Sequence, residues 1–396
     1  MNHHMKNWCT QPSRRHFLGS LGGAGIYLGA IAGRAFAADA PAKPVAIAKC
    51  DNYTSELLPA LTKMFDQLGG LAGMVKGKTV AMKINMVGGA KDRVGFKPHE
   101  ETYWTHPKLI GAVTYLLGNA GAQRVRILEG SWSSADPLEE YMMEVGWKPE
   151  DILRAAPRVE FENTNVLGRA KKYSRLTVPG GGHIFDGFDL NHSYADCDFF
   201  VSIGKMKEHA TAGITLSIKN MFGSTPVTIY GEGAGVDEPS LAPHGGRGIM
   251  HSGVRQPSKS APSENDPKSP RDGGYRIPRI ISDIVAARPI HLAIVDAIDT
   301  MTGGEGPWIR AVNPVHPGLL IAGLNPVNTD AVGAALMGFD PMAVRGTAPF
   351  ETCDSTLLLA EQHGIGTRDL RRIEVIGPPI SDVRLDYRAH RAVRRG

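Results

Sequence analysis

Phe199-Phe200-Val201-Ser202-Ile203 runs directly into Gly204-Lys205-Met206-Lys207-Glu208-His209. The first five residues are nearly all apolar and too few for a buried helix, so they read as a strand covered on both faces. The charged run behind them is what a parallel sheet presents where a strand ends. The same signature recurs outward in both directions. Candidate strands are Val45–Ala48, Thr79–Ile84, Arg124–Leu128, Phe199–Ile203, His291–Val295, Gly318–Ala322 and Arg372–Ile376. Helical patterns lie between them: Leu57–Leu68, Pro107–Leu117 with Thr105 as its expected cap, Ile277–Ala287, and Pro326–Met337 with proline at its start and Gly338 behind it. Apolar strands separated by helices of this length define an α/β fold, a mainly parallel sheet with helices on both faces. One stretch breaks the rhythm. Residues 231–274 form a Gly-, Pro- and Ser-rich insertion without apolar periodicity, expected to be a functional or disordered loop. It contains Pro243-His244-Gly245-Gly246-Arg247-Gly248, and then His251; both histidines are expected to face solvent.

In open parallel sheets ligands bind beyond the carboxyl ends of the strands, so the residues there are the ones to read. They are Lys83-Ile84-Asn85, then Glu129-Gly130-Ser131, then Lys205 to His209 with Lys219-Asn220 shortly after. Asp296 and Asp299 follow the fifth strand, and Asp330 lies one turn into the helix after Asn325-Pro326. Lys83, Lys205, Lys207 and Lys219 are expected to hold an anion, helped by backbone amides of the glycine turns. Asn85, Asn220, Asp296 and Asp330 complete the expected ligand-binding set. His209 is the expected acid–base group, with Lys207 beside it. For each of these a bland reading stands alongside: a solvated lysine, or an aspartate capping the next turn. No dinucleotide fingerprint, Walker motif, nucleophile elbow or His-Glu-x-x-His is present in its usual form.

The N-terminal segment carries a different message. A polar stretch without acids leads to Ser13-Arg14-Arg15-His16-Phe17-Leu18, a Gly-rich apolar run, and Ala35-Phe36-Ala37. Adjacent arginines ahead of a weakly hydrophobic run and a small-residue cleavage site define an expected twin-arginine signal peptide over residues 1–37. The implied partner is the twin-arginine translocase, and the implied location is the periplasm. The glycines weaken the run as a spanning helix, so no stable membrane anchor is expected after cleavage.

The whole chain has a formal charge of +4. Residues 1–37 hold Lys6, Arg14, Arg15 and Arg34 and no acid, leaving 40 basic against 40 acidic residues. A nucleic-acid partner therefore has no support in global charge. Residues 38–380 are expected to form a single α/β domain, in one body or two lobes, with 381–396 a solvated basic tail. Beyond Cys9, the cysteines are Cys50, Cys197 and Cys353, widely spaced and without a C-x-x-C. No cysteine-ligated iron–sulfur cluster is expected, and the cofactor is otherwise unknown from sequence.

A set of motifs follows in order: Lys83-Ile84-Asn85, Thr105-His106-Pro107, Lys205-Met206-Lys207-Glu208-His209 and Ser217-Ile218-Lys219-Asn220-Met221-Phe222-Gly223. Val295-Asp296-Ala297-Ile298, Gly303-Gly304-Glu305-Gly306-Pro307, Asn325 to Val332 and Met337 to Pro341 continue the order. Together they resemble the bacterial and archaeal family known as domain of unknown function 362. The resemblance implies an α/β fold of unsettled activity. Some members add a ferredoxin-like domain, whose cysteine runs this chain lacks; it also has Ile84 where the family pattern has proline.

Three functional readings follow. The first is an exported, enzyme-like protein binding an anionic small molecule or cofactor at the lysine-rich strand ends. The second is a non-catalytic periplasmic binding or maturation factor for a redox partner, using residues 231–274 as its contact surface. The third is a metal-dependent hydrolase built on Asp296, Asp299 and His209.

Overall fold

The computed structural model describes residues 40–131, 134–241, 245–310 and 312–390. The proposed signal residues Arg14, Arg15, Ala35 and Ala37 lie outside them. Eight strands form the central sheet: β1 (Val45–Lys49), β2 (Thr79–Lys83), β3 (Arg124–Glu129), β4 (Val159–Asn163), β5 (Phe199–Lys205), β6 (Leu292–Ala297), β7 (Leu319–Gly323) and β8 (Val375–Ile376). Their spatial order is β8-β1-β7-β6-β5-β2-β3-β4. All neighbours pair parallel except β7, which runs antiparallel to both β1 and β6. The sheet is therefore mixed and mainly parallel, with one reversed strand that the apolar pattern alone does not distinguish.

Two hydrophobic cores, one on each face, follow from the period-2 alternation of the strands. Val80, Met82, Val201, Ile203, Ile294 and Leu320 pack under the helices Leu57–Gln67 and Pro107–Asn119. Ala81, Leu128, Phe200, Val295 and Ile321 pack under Gly273–Ala287, Pro326–Leu336 and Thr356–Gln362. No helix among the described residues is long and apolar enough to cross a membrane.

Local departures from the sequence expectations have local causes. The helix at Pro107 is capped by His106, whose Nδ1 accepts from Lys108 N at 3.1 Å. Thr105 instead spends its hydroxyl on Asn85 N and Ile203 O. The long helix begins at Gly273, four residues earlier than the periodicity suggests. Asp272 caps it by accepting from Gly274 N and Tyr275 N, and Pro278 is tolerated inside its first turns. β4 escaped notice because its sequence, Val-Glu-Phe-Glu-Asn, is that of a half-exposed edge strand. The segment from 381 packs on the domain: Tyr387 is buried, and His390 O accepts from Thr302 Oγ1 at 2.8 Å. Residues 391–396 lie outside the described set.

Strand sequence order reverses between β2 and β5. From β2 the chain winds outward through β3 to β4, then crosses back to place β5 on the other side of β2. Such a switch point opens a crevice at the carboxyl ends of the two strands. Lys83 closes β2 and Lys205 closes β5, so the ends of both strands stand at its lip, with the Lys83 side chain in its lining.

Candidate functional site

The crevice at the switch point is a recess with about 70 Å³ open to the centres of water molecules. It is lined by Lys83, Asn85, Glu129, Lys207, His209, Lys219, Asn220, Arg247 and Glu305, together with the Met86–Gly88 turn, Thr215 and Phe222-Gly223. At roughly 10–15 Å³ per water, it has room for a small polyatomic anion or a handful of waters. Its walls need glycine. A Cβ on Gly130 would stand 2.4 Å from Gly223 O and 2.8 Å from Arg247 Nη2. Away from the lining, within β5, a Cβ on Gly204 would collide with Leu216 O, where the chain folds back after the strand.

Asn220 holds the crevice together. Its Nδ2 faces Lys83 O at 3.1 Å, Ser202 Oγ at 3.0 Å and Ile203 O at 3.2 Å. Its Oδ1 accepts from Asn85 Nδ2 at 3.1 Å and from Lys83 Nζ at 3.4 Å. One amide thus ties the end of β2 to the end of β5, at the place where their own ladder runs out. The short helix Ser217–Asn220 that carries it is fixed by Asp330, which accepts from Ser217 N at 3.0 Å, Ser217 Oγ at 2.6 Å and Ile218 N at 2.8 Å.

Charge in the recess is unbalanced. Lys83 pairs with Glu129 at 2.5 Å, both buried. Glu129 also accepts from Met86 N at 2.7 Å and Gly130 N at 2.9 Å. Lys207 donates to Asn85 Oδ1 at 3.0 Å and Tyr103 O at 2.6 Å. Lys219 lies 4.7 Å from the Phe222 ring centroid. Arg247 donates to Thr225 O at 2.8 Å, Gly130 O at 3.0 Å and the Asn165 side chain at 3.2 Å. Lys207, Lys219 and Arg247 make no ion pair with a described carboxylate. Glu305, the second acid in the wall, accepts from Ala210 N and from Trp308 Nε1, each at 3.0 Å.

Burial acts on all three cations. It pushes Lys207 well down, with Lys219 adding repulsion, lowers Lys219 to about 8, and lowers Arg247 to about 10. His209 is likewise pushed well below its ordinary range by burial and then by Lys219, so its ring is neutral. Its Nδ1 accepts from Thr211 N at 3.1 Å, which leaves the proton on Nε2. The recess therefore gathers the amines of Lys83, Lys207 and Lys219, the Arg247 guanidinium and a neutral imidazole N–H against two carboxylates, Glu129 and Glu305.

Six of the residues singled out from the sequence come together here: Lys83, Asn85, Lys207, His209, Lys219 and Asn220. Three do not line the recess. Lys205 shares a sheet face with Val201 and Ile203, and Asp296 with Ile294, so both point into the opposite core. There they form a buried pair at 3.0 Å. Tyr53 Oη donates to Asp296 Oδ1 at 2.7 Å, His106 N donates to Oδ2 at 3.0 Å, and Lys205 also donates to Glu100 O at 2.8 Å. Asp330 supports the recess from behind through Ser217 and Ile218. Asp299 is engaged by His316 at 2.8 Å. Asp296 Oδ1 and Asp299 N both meet Tyr53 Oη, whereas His209 lines the recess, and among the described residues these three do not gather into a metal-ligating group.

Arg247, Glu129 and Glu305 complete the recess and were not singled out from the sequence. Glu129 had a signal, its place at a strand end. Arg247 had none, lying in the Gly-rich insertion, which here supplies part of the wall and a short helix, Gly248–Ser252. His251 is not solvent-facing: burial lowers its pKa, its Nδ1 donates to Arg247 O at 2.8 Å, and its ring meets Phe222 edge-on. His244 lies outside the described residues. The cysteines take no part; burial pushes the thiols of Cys50 and Cys353 up to about 11 and 12.

Fold and recess together define an α/β protein with a cation-lined crevice at the switch point of a mainly parallel sheet. The chain belongs to the family described as Domain of unknown function (DUF362), whose model matches residues 80–335. That range contains every residue of the recess. A thylakoid-associated protein of Synechocystis is 28% identical over 188 residues, which are 46% of this chain and 51% of that protein. The chain spans about half the length of that curated relative. A crystal structure of a Thermotoga maritima protein aligns with 67% of this chain and 55% of its own, at 13% identity and a TM-score of 0.33.

Proposed function

We propose that this protein is exported folded by the twin-arginine route into the periplasm, and that its α/β domain binds an anionic small molecule or cofactor in the recess between β2 and β5. The observation that carries the binding reading is the charge imbalance: Lys207, Lys219 and Arg247 converge on one small cavity without a paired carboxylate. Gathering like charges in a buried place is costly, and a bound anion removes that cost. Lys207 and Lys219 neutralise the anion, Arg247 and the Nε2–H of His209 orient it, and Asn85 and Asn220 set the positions of the lysines. His209 is also the group available to pass a proton to or from the bound molecule. Arg14-Arg15 and Ala35-Phe36-Ala37 support the export half of the reading.

The binding test is calorimetry with inorganic phosphate and pyrophosphate on the mature protein. Lys207→Ala combined with Lys219→Ala is expected to weaken binding by about 100-fold or more, at roughly 1.5–3 kcal/mol per charged hydrogen bond lost, with an unchanged circular dichroism spectrum. An unchanged dissociation constant in the double variant would sink the reading. For export, Arg14→Lys with Arg15→Lys is expected to hold the precursor in the cytoplasm on cell fractionation; unimpaired appearance in the periplasm would reject the twin-arginine route.

A further inference from the structure

On the sheet face carrying the helix Gly273–Ala287, three side chains from distant parts of the chain meet outside the recess. His183 lies in the turn between the hairpin strands Ser174–Thr177 and Gly187–Leu190. Asp283 is buried on the helix Gly273–Ala287, and His363 is the C-cap of the helix Thr356–Gln362. One donor atom from each lies within 4.8 Å of the other two. His363 Nε2 stands 2.9 Å from Asp283 Oδ1, and the two imidazole centroids are 4.4 Å apart.

Two features set this cluster apart from an ordinary buried ion pair. Nε2 of His183 is buried and has no hydrogen-bond partner among the described residues, a state that native interiors rarely leave uncorrected. The Asp283 carboxylate is held by backbone amides, with His183 N at 2.7 Å, Ile184 N at 2.8 Å and Phe185 N at 3.3 Å. Such outer-shell bonds fix a ligating carboxylate in orientation.

We propose that His183, Asp283 and His363 form a binding site for a divalent transition metal of the zinc class. Two imidazole nitrogens and one carboxylate oxygen are the donors such an ion takes, and water fills the fourth position. Around a tetrahedral ion with bonds of about 2.0–2.1 Å, donors stand roughly 3.3 Å apart. The His363–Asp283 contact must widen by a few tenths of an ångström and the longer separations must close, movements within reach of imidazole rotation. The ion binds the orphaned nitrogen of His183 and replaces the His363–Asp283 contact with two metal bonds. It cross-links the hairpin turn to two helices. This site is independent of the recess and of any anion there.

The test uses the full mature chain, stripped with chelator and titrated with Zn²⁺ by calorimetry and by urea unfolding. Wild type is expected to bind one equivalent and to unfold at higher urea with zinc than without. His183→Ala is expected to lose about 100-fold or more in affinity, beyond the 10–100-fold that outer-shell changes typically cost, and to lose the zinc-dependent shift. Its metal-free unfolding midpoint checks that it folds, and His363→Gln provides the second ligand deletion should it not. His316→Ala, at an exposed histidine, and the Lys207→Ala, Lys219→Ala variant are both expected to keep the full zinc response. Absence of a saturable equivalent in wild type overturns the proposal. So does a His183→Ala or His363→Gln protein that folds and binds zinc as wild type does.

Discussion

Replacing Asp296 by asparagine separates a structural aspartate from a ligand-binding one. Asp296 and Lys205 are both fully buried, and their ion pair spans 3.0 Å. The carboxylate also accepts from Tyr53 Oη and His106 N. Asparagine keeps one acceptor oxygen and turns an amide toward one of these donors. It leaves the Lys205 ammonium paired only with Glu100 O and the Tyr53 hydroxyl. Breaking a buried pair by removing one partner costs about 3–5 kcal/mol, because the other charge stays desolvated. Urea unfolding followed by circular dichroism should show a loss of that size, while phosphate binding in the recess stays within about twofold, under 0.5 kcal/mol. Removing both charges, as Asp296→Leu with Lys205→Met, should recover much of the loss, since apolar replacements of similar volume avoid the desolvation penalty. A stability loss below about 1 kcal/mol for Asp296→Asn would refute the pair as the anchor of that core, at a site where the mechanism calls for several times as much. A loss of phosphate affinity with intact stability would return Asp296 to the binding site.

Further predictions concern the recess. Gly130→Ala places a methyl group 2.8 Å from Arg247 Nη2 and closer still to Gly223 O; it should displace the guanidinium and lower phosphate affinity about tenfold, about 1.4 kcal/mol, as read by calorimetry. Because burial lowers Lys219 to about 8, the free protein loses that charge above pH 8, whereas an anion favours the protonated amine. Binding near pH 8 should therefore take up a proton, visible as a dependence of the heat on buffer ionisation, and affinity should fall by up to about tenfold per pH unit above 8. The same depressed pKa means that the unfolded chain binds more protons between about pH 8 and 10.5. Lys219 thus makes stability rise with pH across that window in the ligand-free protein, and bound phosphate should flatten the rise.

How much of this was legible in the sequence depends on which distance the inference had to cross. Strand cores such as Phe199–Val201 and Val80–Met82 are apolar from end to end, and local pattern suffices to place them. The strand-end rule then led to Lys83, Asn85, Lys207, His209, Lys219 and Asn220, which the structure brings together. It also gathered Lys205, Asp296 and Asp330, which lie elsewhere. Parity along each strand held the clue for two of these: Lys205 keeps step with Val201 and Ile203, and Asp296 with Ile294. Which face that parity denotes depends on the pairing of Asp296 with Lys205 across β5 and β6 and of Lys83 with Ser202 across β2 and β5. Such register is a long-range fact. Arg247 was further out of reach, since a Gly-rich insertion shows no period to say where it folds back. His183, Asp283 and His363 are separated by 100 and 80 residues, and no local pattern joins them.

An anion seated against Lys207, Lys219 and Arg247 would be seen in a crystal of the mature protein soaked in tungstate, an electron-dense analogue of phosphate. An anomalous peak is expected inside the recess, within hydrogen-bonding reach of both lysine Nζ atoms, and none there in crystals of the Lys207→Ala, Lys219→Ala variant. An empty recess in the wild-type crystal, with tungstate bound only at surface cations, would contradict that seating.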